Sequence, residues 1–178
     1  MNDSRRLGWS WIRMGALSMA VAMGLFLAGS PACAASKTTG GVKWYGYEEG
    51  MREARESHRP VLLHFYTDWC PWCKKMERDT FSHPQIQEAL NQGFVSIRIN
   101  PESKEKIRVE GREVKAADLA RKFEVRGFPT TIFLESDGSP IGPVPGYIDS
   151  DSMRKILAYV QEKAYQKMTF DEYARQRS

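Results

Sequence analysis

The stretch Trp69-Cys70-Pro71-Trp72-Cys73-Lys74 holds two of the three cysteines in the chain. Before it lies Val61-Leu62-Leu63-His64-Phe65-Tyr66, an apolar run that reads as a buried strand. After it, Lys74 to Phe81 reads as a helix. A strand that runs straight into Cys-x-x-Cys at a helix start is a specific arrangement, and the remaining segments can be placed around it.

The spacing has a physical meaning. Residues three apart in a first helical turn share one face, with Cβ atoms roughly 5–6 Å apart, and a disulfide needs Cα atoms about 4.4–6.8 Å apart. Cys70 and Cys73 can therefore join or part with little backbone movement. A helix N-terminus adds unpaired N–H groups and partial positive charge near Cys70, both of which favour the thiolate. Pro71 suits the first turn because its missing N–H has no helical partner there. Trp69 and Trp72 supply an apolar surround on which another chain could rest. Three readings compete: a redox pair, a structural disulfide, and half of a zinc site. A four-residue loop removes little chain entropy, which weakens the second. The third would need ligands from His58, His64 and His83, since no second Cys-x-x-Cys pair exists.

With 178 residues, 42% of them hydrophobic, the chain can bury one core of ordinary size. Its net charge is +4. Arg5, Arg6 and Arg13 against Asp3 account for +2 of that, leaving about +2 for the rest, too little to suggest nucleic acid.

Met1 to Ala34 reads as a secretory signal, with a basic start, an apolar run from Met14 to Leu27, and small residues at Ala32-Cys33-Ala34. A lipidated Cys33 and an uncleaved anchor are the alternatives. Export implies a periplasmic or secreted protein in an oxidising compartment. Residues 35–41 read as a flexible linker, 42–166 as the folded domain and 167–178 as a tail helix. Within the domain, Val42-Lys43-Trp44 reads as an edge strand and Tyr47 to Ser57 as a helix. Gln85 to Asn91 reads as a further helix and Phe94 to Ile99 as a strand. Glu102 to Glu113 reads as a charged loop with a turn at Glu110-Gly111, and Ala116 to Phe123 as a helix. Thr131 to Leu134 reads as a strand entered through Pro129. Asp137-Gly138 signals a hairpin to Ile141–Val144, and Ser152 to Tyr165 reads as the last long helix. Thr169-Phe170-Asp171-Glu172 has the form of a capping box.

Two separated motifs, Trp69-Cys70-Pro71-Trp72-Cys73-Lys74 and Val125-Arg126-Gly127-Phe128-Pro129-Thr130, together with the order of elements, resemble the thioredoxin superfamily. The run from Trp44 through Pro60 is most similar to secreted single-domain members and to the periplasmic C-terminal domain of the Dsb-system membrane electron-transfer protein. The resemblance implies an α/β thioredoxin-like fold, a central mixed sheet flanked by helices. It implies that Pro129 is cis beside the disulfide and that the Phe128 backbone pairs with a substrate strand. It further implies a thiol:disulfide oxidoreductase without cofactor or metal, in which Cys70 attacks and the more buried Cys73 resolves. Implied partners are protein disulfides or dithiols and a membrane electron-transfer protein that keeps the pair reducing, and the protein is expected to be a monomer. The place of the family's buried Asp falls on His64, a candidate for the same proton transfer or a core histidine. The place of a frequent lysine falls on Arg98, and Asp68 is a second acid–base candidate. The competing class is a non-catalytic binding module that grips partners through Trp69, Trp72 and Phe128.

Overall fold

A computed structural model describes residues 40–177. The expected signal segment, Cys33 and most of the linker lie outside these residues. The described chain runs β1 (Trp44–Tyr45), α1 (Tyr47–Ser57), β2 (Val61–Phe65), α2 (Pro71–Met76), α3 (Pro84–Gly93), β3 (Val95–Ile99), β4 (Lys106–Val109), β5 (Arg112–Lys115), α4 (Ala116–Lys122), β6 (Thr130–Leu134), β7 (Pro140–Pro145), α5 (Ser150–Gln161) and α6 (Phe170–Gln176). None of these helices is long and apolar enough to cross a membrane.

The main sheet has the order β1-β3-β2-β6-β7. β3 runs parallel to both β1 and β2, while β6 is antiparallel to β2 and β7 to β6. β2 is buried along its whole length, as expected of a central strand covered on both faces. Val61, Leu63 and Phe65 face a core shared with Met51, Ala54, Leu119 and Ile132. Leu62 faces the opposite core with Met76, Phe81, Leu90, Phe133 and Leu157. Alternation along one strand thus feeds two apolar layers.

The charged segment after β3 departs from the expected loop. It forms the hairpin β4–β5, with Val109 paired to Arg112 around Glu110-Gly111. Ile107 and Val109 alternate with exposed charges and pack on the first core, and that period-2 pattern outweighs the high charge. The last long helix also differs from its expected span: α5 ends at Gln161, with Lys163 left-handed at φ 52, a common helix stop. A short 3-10 turn follows, and α6 starts with both bonds of the Thr169–Glu172 capping box in place. α6 docks through Tyr173, which is buried.

Candidate redox site

β2 delivers the chain to the site, and Tyr66 to Trp69 carry it from the sheet to Cys70. The Tyr66 N–H donates to Ile99 O at 3.1 Å and the Cys70 N–H to Thr67 O at 3.2 Å, so this turn is tied to β3 and to itself. Cys70 is the N-cap of α2: its backbone is extended, and its Sγ accepts from the Cys73 N–H at 3.1 Å. Pro71 takes the first helical position. Cys70 and Cys73 form a disulfide with Cα atoms 5.3 Å apart. α2 continues into a π-helical turn, Glu77–Phe81, whose Phe81 and Thr80 are buried and anchor the helix beneath the site.

The outer rim is aromatic. Trp69 and Trp72 are 63% and 56% exposed, the large hydrophobic side chains that stay uncovered among the described residues. The Trp69 ring stands edge-on to Phe128, centroids 6.4 Å apart, and its N–H donates to Glu102 at 2.8 Å. Trp72 leans on Tyr147 at 5.8 Å, and the Lys75 ammonium sits 4.8 Å from the Tyr147 ring centre. The Phe128–Pro129 peptide is cis. Its loop is held by the Gly146 N–H, which donates to Pro129 O at 2.8 Å. Gly146 has φ +86, a conformation that glycine adopts without steric cost.

Behind the disulfide lies a cavity of about 200 Å³ whose lining includes the polar residues His64, Thr67, Asp68, Glu77 and Arg98 as well as Cys73. Register places His64 opposite Arg98 on β3 and Thr131 on β6. His64 is buried, shares a hydrogen bond with Thr131 Oγ1 at 3.2 Å, stacks parallel to Tyr66 and meets Phe81 edge-on. Burial, and then the positive charge of Arg98, push its pKa down to about 3, so its imidazole is neutral at physiological pH. The Arg98 guanidinium lies over Tyr66 at 4.2 Å and reaches Glu77 at 3.7 Å. The Thr67 hydroxyl is buried without a protein partner. Asp68 accepts from Asn100 at 3.1 Å at the cavity's outer side.

The structure therefore gathers Cys70, Cys73, Trp69, Pro71, Trp72, Phe128 and Pro129 on one surface and His64 directly beneath it. One expectation needs correction. Cys73 is not the more buried cysteine: Cys70 is 2% exposed and Cys73 6%. What separates them is placement, since Cys70 caps the helix whereas Cys73 opens onto the inner cavity. His58 and His83, the other histidines of the zinc reading, cap α1 and α3. Glu77, Glu102 and Tyr147 also belong to the site, and no motif in the sequence marks them. Glu77 follows Cys73 by one helical turn, which is the spacing that puts two side chains on one face. For Glu102 and Tyr147 the primary sequence carries no comparable signal.

Comparison with known proteins agrees with this architecture. Residues 47–161 match the family described as a thioredoxin-like domain. The thiol:disulfide interchange protein DsbD of Photorhabdus laumondii is 33% identical over 119 residues, which is 66% of this chain and 19% of that protein. DsbD of Escherichia coli K12 is 33% identical over 101 residues, 56% of this chain and 16% of that protein. The chain thus spans less than a fifth of these curated relatives. Among solved structures, a thioredoxin from Thermus thermophilus superposes with a TM-score of 0.56 and 27% identity, covering 68% of this chain and 88% of its own. A thioredoxin-fold protein from Helicobacter pylori gives 0.58 at 17% identity, over 74% of this chain and 92% of its own, which shows likeness of fold.

Proposed function

The chain belongs to the thioredoxin-like family, and on that premise we propose that it exchanges the Cys70–Cys73 disulfide with thiols and disulfides of protein partners. The observation that carries this reading is the disulfide itself, closed at a helix start beside two exposed tryptophans and backed by a cavity that holds titratable side chains. In the reducing direction the Cys70 thiolate attacks a partner disulfide. One S–S bond forms, one breaks, and the departing partner sulfur carries the electron pair. Cys73 then loses its proton to the cavity side and attacks Cys70 Sγ, which restores the intramolecular disulfide and releases the second partner thiol. Two electrons pass from the protein to the partner, and the reverse sequence oxidises a dithiol.

In this reading His64 takes part as a neutral hydrogen-bonding group beneath Cys73, not as a standing positive charge. Trp69, Pro71 and Trp72 receive the partner at the helix start, and Phe128, which meets the Trp69 ring, receives it together with Pro129 on the adjoining loop. The main chain around Phe128 offers hydrogen bonds to an extended segment. The reducing direction, the periplasmic setting and a membrane electron donor are supported by the resemblance to the Dsb-system domain and by the basic-then-apolar reading of residues 1–34.

Single-cysteine variants test the assignment. Cys73→Ser is expected to accumulate mixed disulfides with client proteins, resolved by mass spectrometry. Cys70→Ser is expected to lose turnover in insulin reduction without trapping. Equal trapping by both variants would erase the division of roles between the two cysteines. The exposed tryptophan pair also suits a binding module. Tight client binding by the double-serine variant, with a parent inactive toward insulin, would establish that function instead.

A further inference from the structure

The cavity behind the disulfide holds two polar groups that the fold leaves unmatched. Thr67 is 1% exposed, and its Oγ1 has no protein partner; the Arg98 Nε–H is likewise buried and unpaired. Buried groups of this kind are nearly always met, by protein or by a small molecule. Both residues line the space onto which Cys73 opens. Arg98 is pinned there, its guanidinium 4.2 Å over the Tyr66 ring and 5.4 Å from the centre of the Trp44 ring. Asp68, Lys74 and Glu77 also line the cavity and are exposed, so a small solute can enter from water.

Chemistry narrows what fits. Asp68 and Glu77 share the wall with Lys74 and Arg98, so net charge favours neither an anion nor a cation. A volume of about 200 Å³ holds a few molecules of water size, at ~30 Å³ each. The occupant is therefore small, neutral and able to meet a hydroxyl and an N–H beside a thiol. Hydrogen peroxide satisfies each condition. Both of its oxygens donate and accept, and its O–O bond is one that a thiolate breaks.

We propose that the reduced protein reduces hydrogen peroxide at Cys73, with Thr67 and Arg98 holding the peroxide oxygens. Cys73 first passes its proton to the Glu77 carboxylate across the cavity. The thiolate attacks one peroxide oxygen: an S–O bond forms and the O–O bond breaks. The far oxygen leaves with the electron pair beside the Arg98 charge and takes the proton back, becoming water. Cys73 is now a sulfenic acid. The Cys70 thiolate attacks Cys73 Sγ, an S–S bond forms, the S–O bond breaks, and the departing hydroxide gains a proton to become a second water. The Cα atoms, 5.3 Å apart, suit that closure. Two thiols and one peroxide thus become one disulfide and two waters, the sulfurs losing two electrons and the oxygens gaining them. This activity is separate from exchange with partner disulfides and shares with it only the Cys70–Cys73 bond as product.

The test uses the full chain carrying Cys70→Ser, reduced and freed of reductant. It is mixed with hydrogen peroxide and a cyclic 1,3-diketone that captures sulfenic acids, and mass spectrometry times the labelling of Cys73. Labelling is expected to be at least ~10-fold faster than in the same chain unfolded in urea, the factor that one well-placed hydrogen bond supplies. It is also expected to outpace labelling of Cys70 in Cys73→Ser. The two-cysteine chain is then oxidised in separate runs by hydrogen peroxide and by a small aromatic disulfide. In Thr67→Val the ratio of peroxide rate to disulfide rate is expected to fall ~10-fold, and in Thr67→Ser, which keeps the hydroxyl, to stay within ~3-fold of the parent. Labelling no faster in the folded chain, or faster on Cys70 than on Cys73, overturns the proposal, and so does a ratio that Thr67→Val leaves in place. In each case oxidation by the aromatic disulfide leaves thiol exchange standing. A reduced pair that the aromatic disulfide fails to oxidise overturns the exchange reading instead. The labelling comparison needs no Thr67 variant, so it decides even where Thr67→Val fails to fold.

Discussion

The indole N–H of Trp69 donates to Glu102 at 2.8 Å, which ties the approach to Cys70 to the loop that leaves β3. Asn100 completes the tie: its Nδ2 donates to Asp68 at 3.1 Å and its Oδ1 accepts from the Glu102 N–H at 3.0 Å. These bonds hold an exposed tryptophan in one orientation, edge-on to Phe128. Glu102→Ala frees the ring, and a partner must then order it on binding. The expected result is a KM for insulin raised ~3–10-fold, the worth of about one ordinary solvent-exposed hydrogen bond, with the reaction of the reduced protein with a small aromatic disulfide unchanged. Glu102→Gln keeps an acceptor oxygen and should recover most of the loss. Equal slowing toward the small and the large disulfide would mean general damage to the site.

His64 makes stability depend on acid. Its neutral form is the one the fold favours, because burial and then Arg98 hold its pKa down to about 3 from the ordinary 6.5. Below pH 6.5 the unfolded chain takes up a proton that the folded chain refuses until about pH 3. The contribution is therefore complete above roughly pH 6.5 and drains as pH falls through that window. At pH 4.5 the loss is on the order of 2–3 kcal/mol. Urea titrations at pH 7, 5.5 and 4.5 measure it. His64→Gln keeps a partner for Thr131 but binds no proton, so its profile should be flatter by that amount. Parallel profiles for parent and variant would remove His64 as the source.

Gly111 carries the turn of the β4–β5 hairpin at φ +76, next to Glu110 at φ +52. Two successive positive φ values are what a two-residue hairpin turn requires. A Cβ at Gly111 would meet nothing within 4 Å, so Gly111→Ala isolates backbone strain from crowding. Its expected cost is about 1 kcal/mol in urea unfolding. No measurable loss would mean that the turn relaxes to another geometry.

In that hairpin local composition and tertiary packing point in different directions. Between Glu102 and Lys115 charged residues crowd the chain, and charge reads as loop. Ile107, Val109 and Val114 alternate among those charges, but the run is short, and burial against α1 and α4 exists only once the chain has folded. The redox motif was legible because its chemistry is local: three residues of spacing, a proline and a helix start. The electrostatics of the cavity were not legible, because they depend on strand register. His64 faces Arg98 through the alignment of β2 with β3, and a one-residue slip would send the two side chains to opposite faces of the sheet. Hence His64 reads from sequence as a group that titrates near neutral pH, whereas the fold holds it neutral far below.

Glu77 lies one helical turn beyond Cys73, opens onto the same cavity and stands 3.7 Å from Arg98. Cys73 must shed a proton before it can attack Cys70, and this carboxylate is placed to receive it through the cavity. Glu77→Gln preserves size and removes the base. The two steps of the exchange should then separate. Attack by Cys70 on the partner should keep its rate, while resolution by Cys73 should slow by at least ~10-fold, below the usual 10²–10⁴-fold range of general acid–base catalysis because Asp68 and solvent remain available. Trp69 and Trp72 flank the sulfurs, so stopped-flow tryptophan fluorescence can follow both phases in one trace. A variant that slows both phases equally would make Glu77 part of the general field around the disulfide, and the proton would have to leave Cys73 by another route.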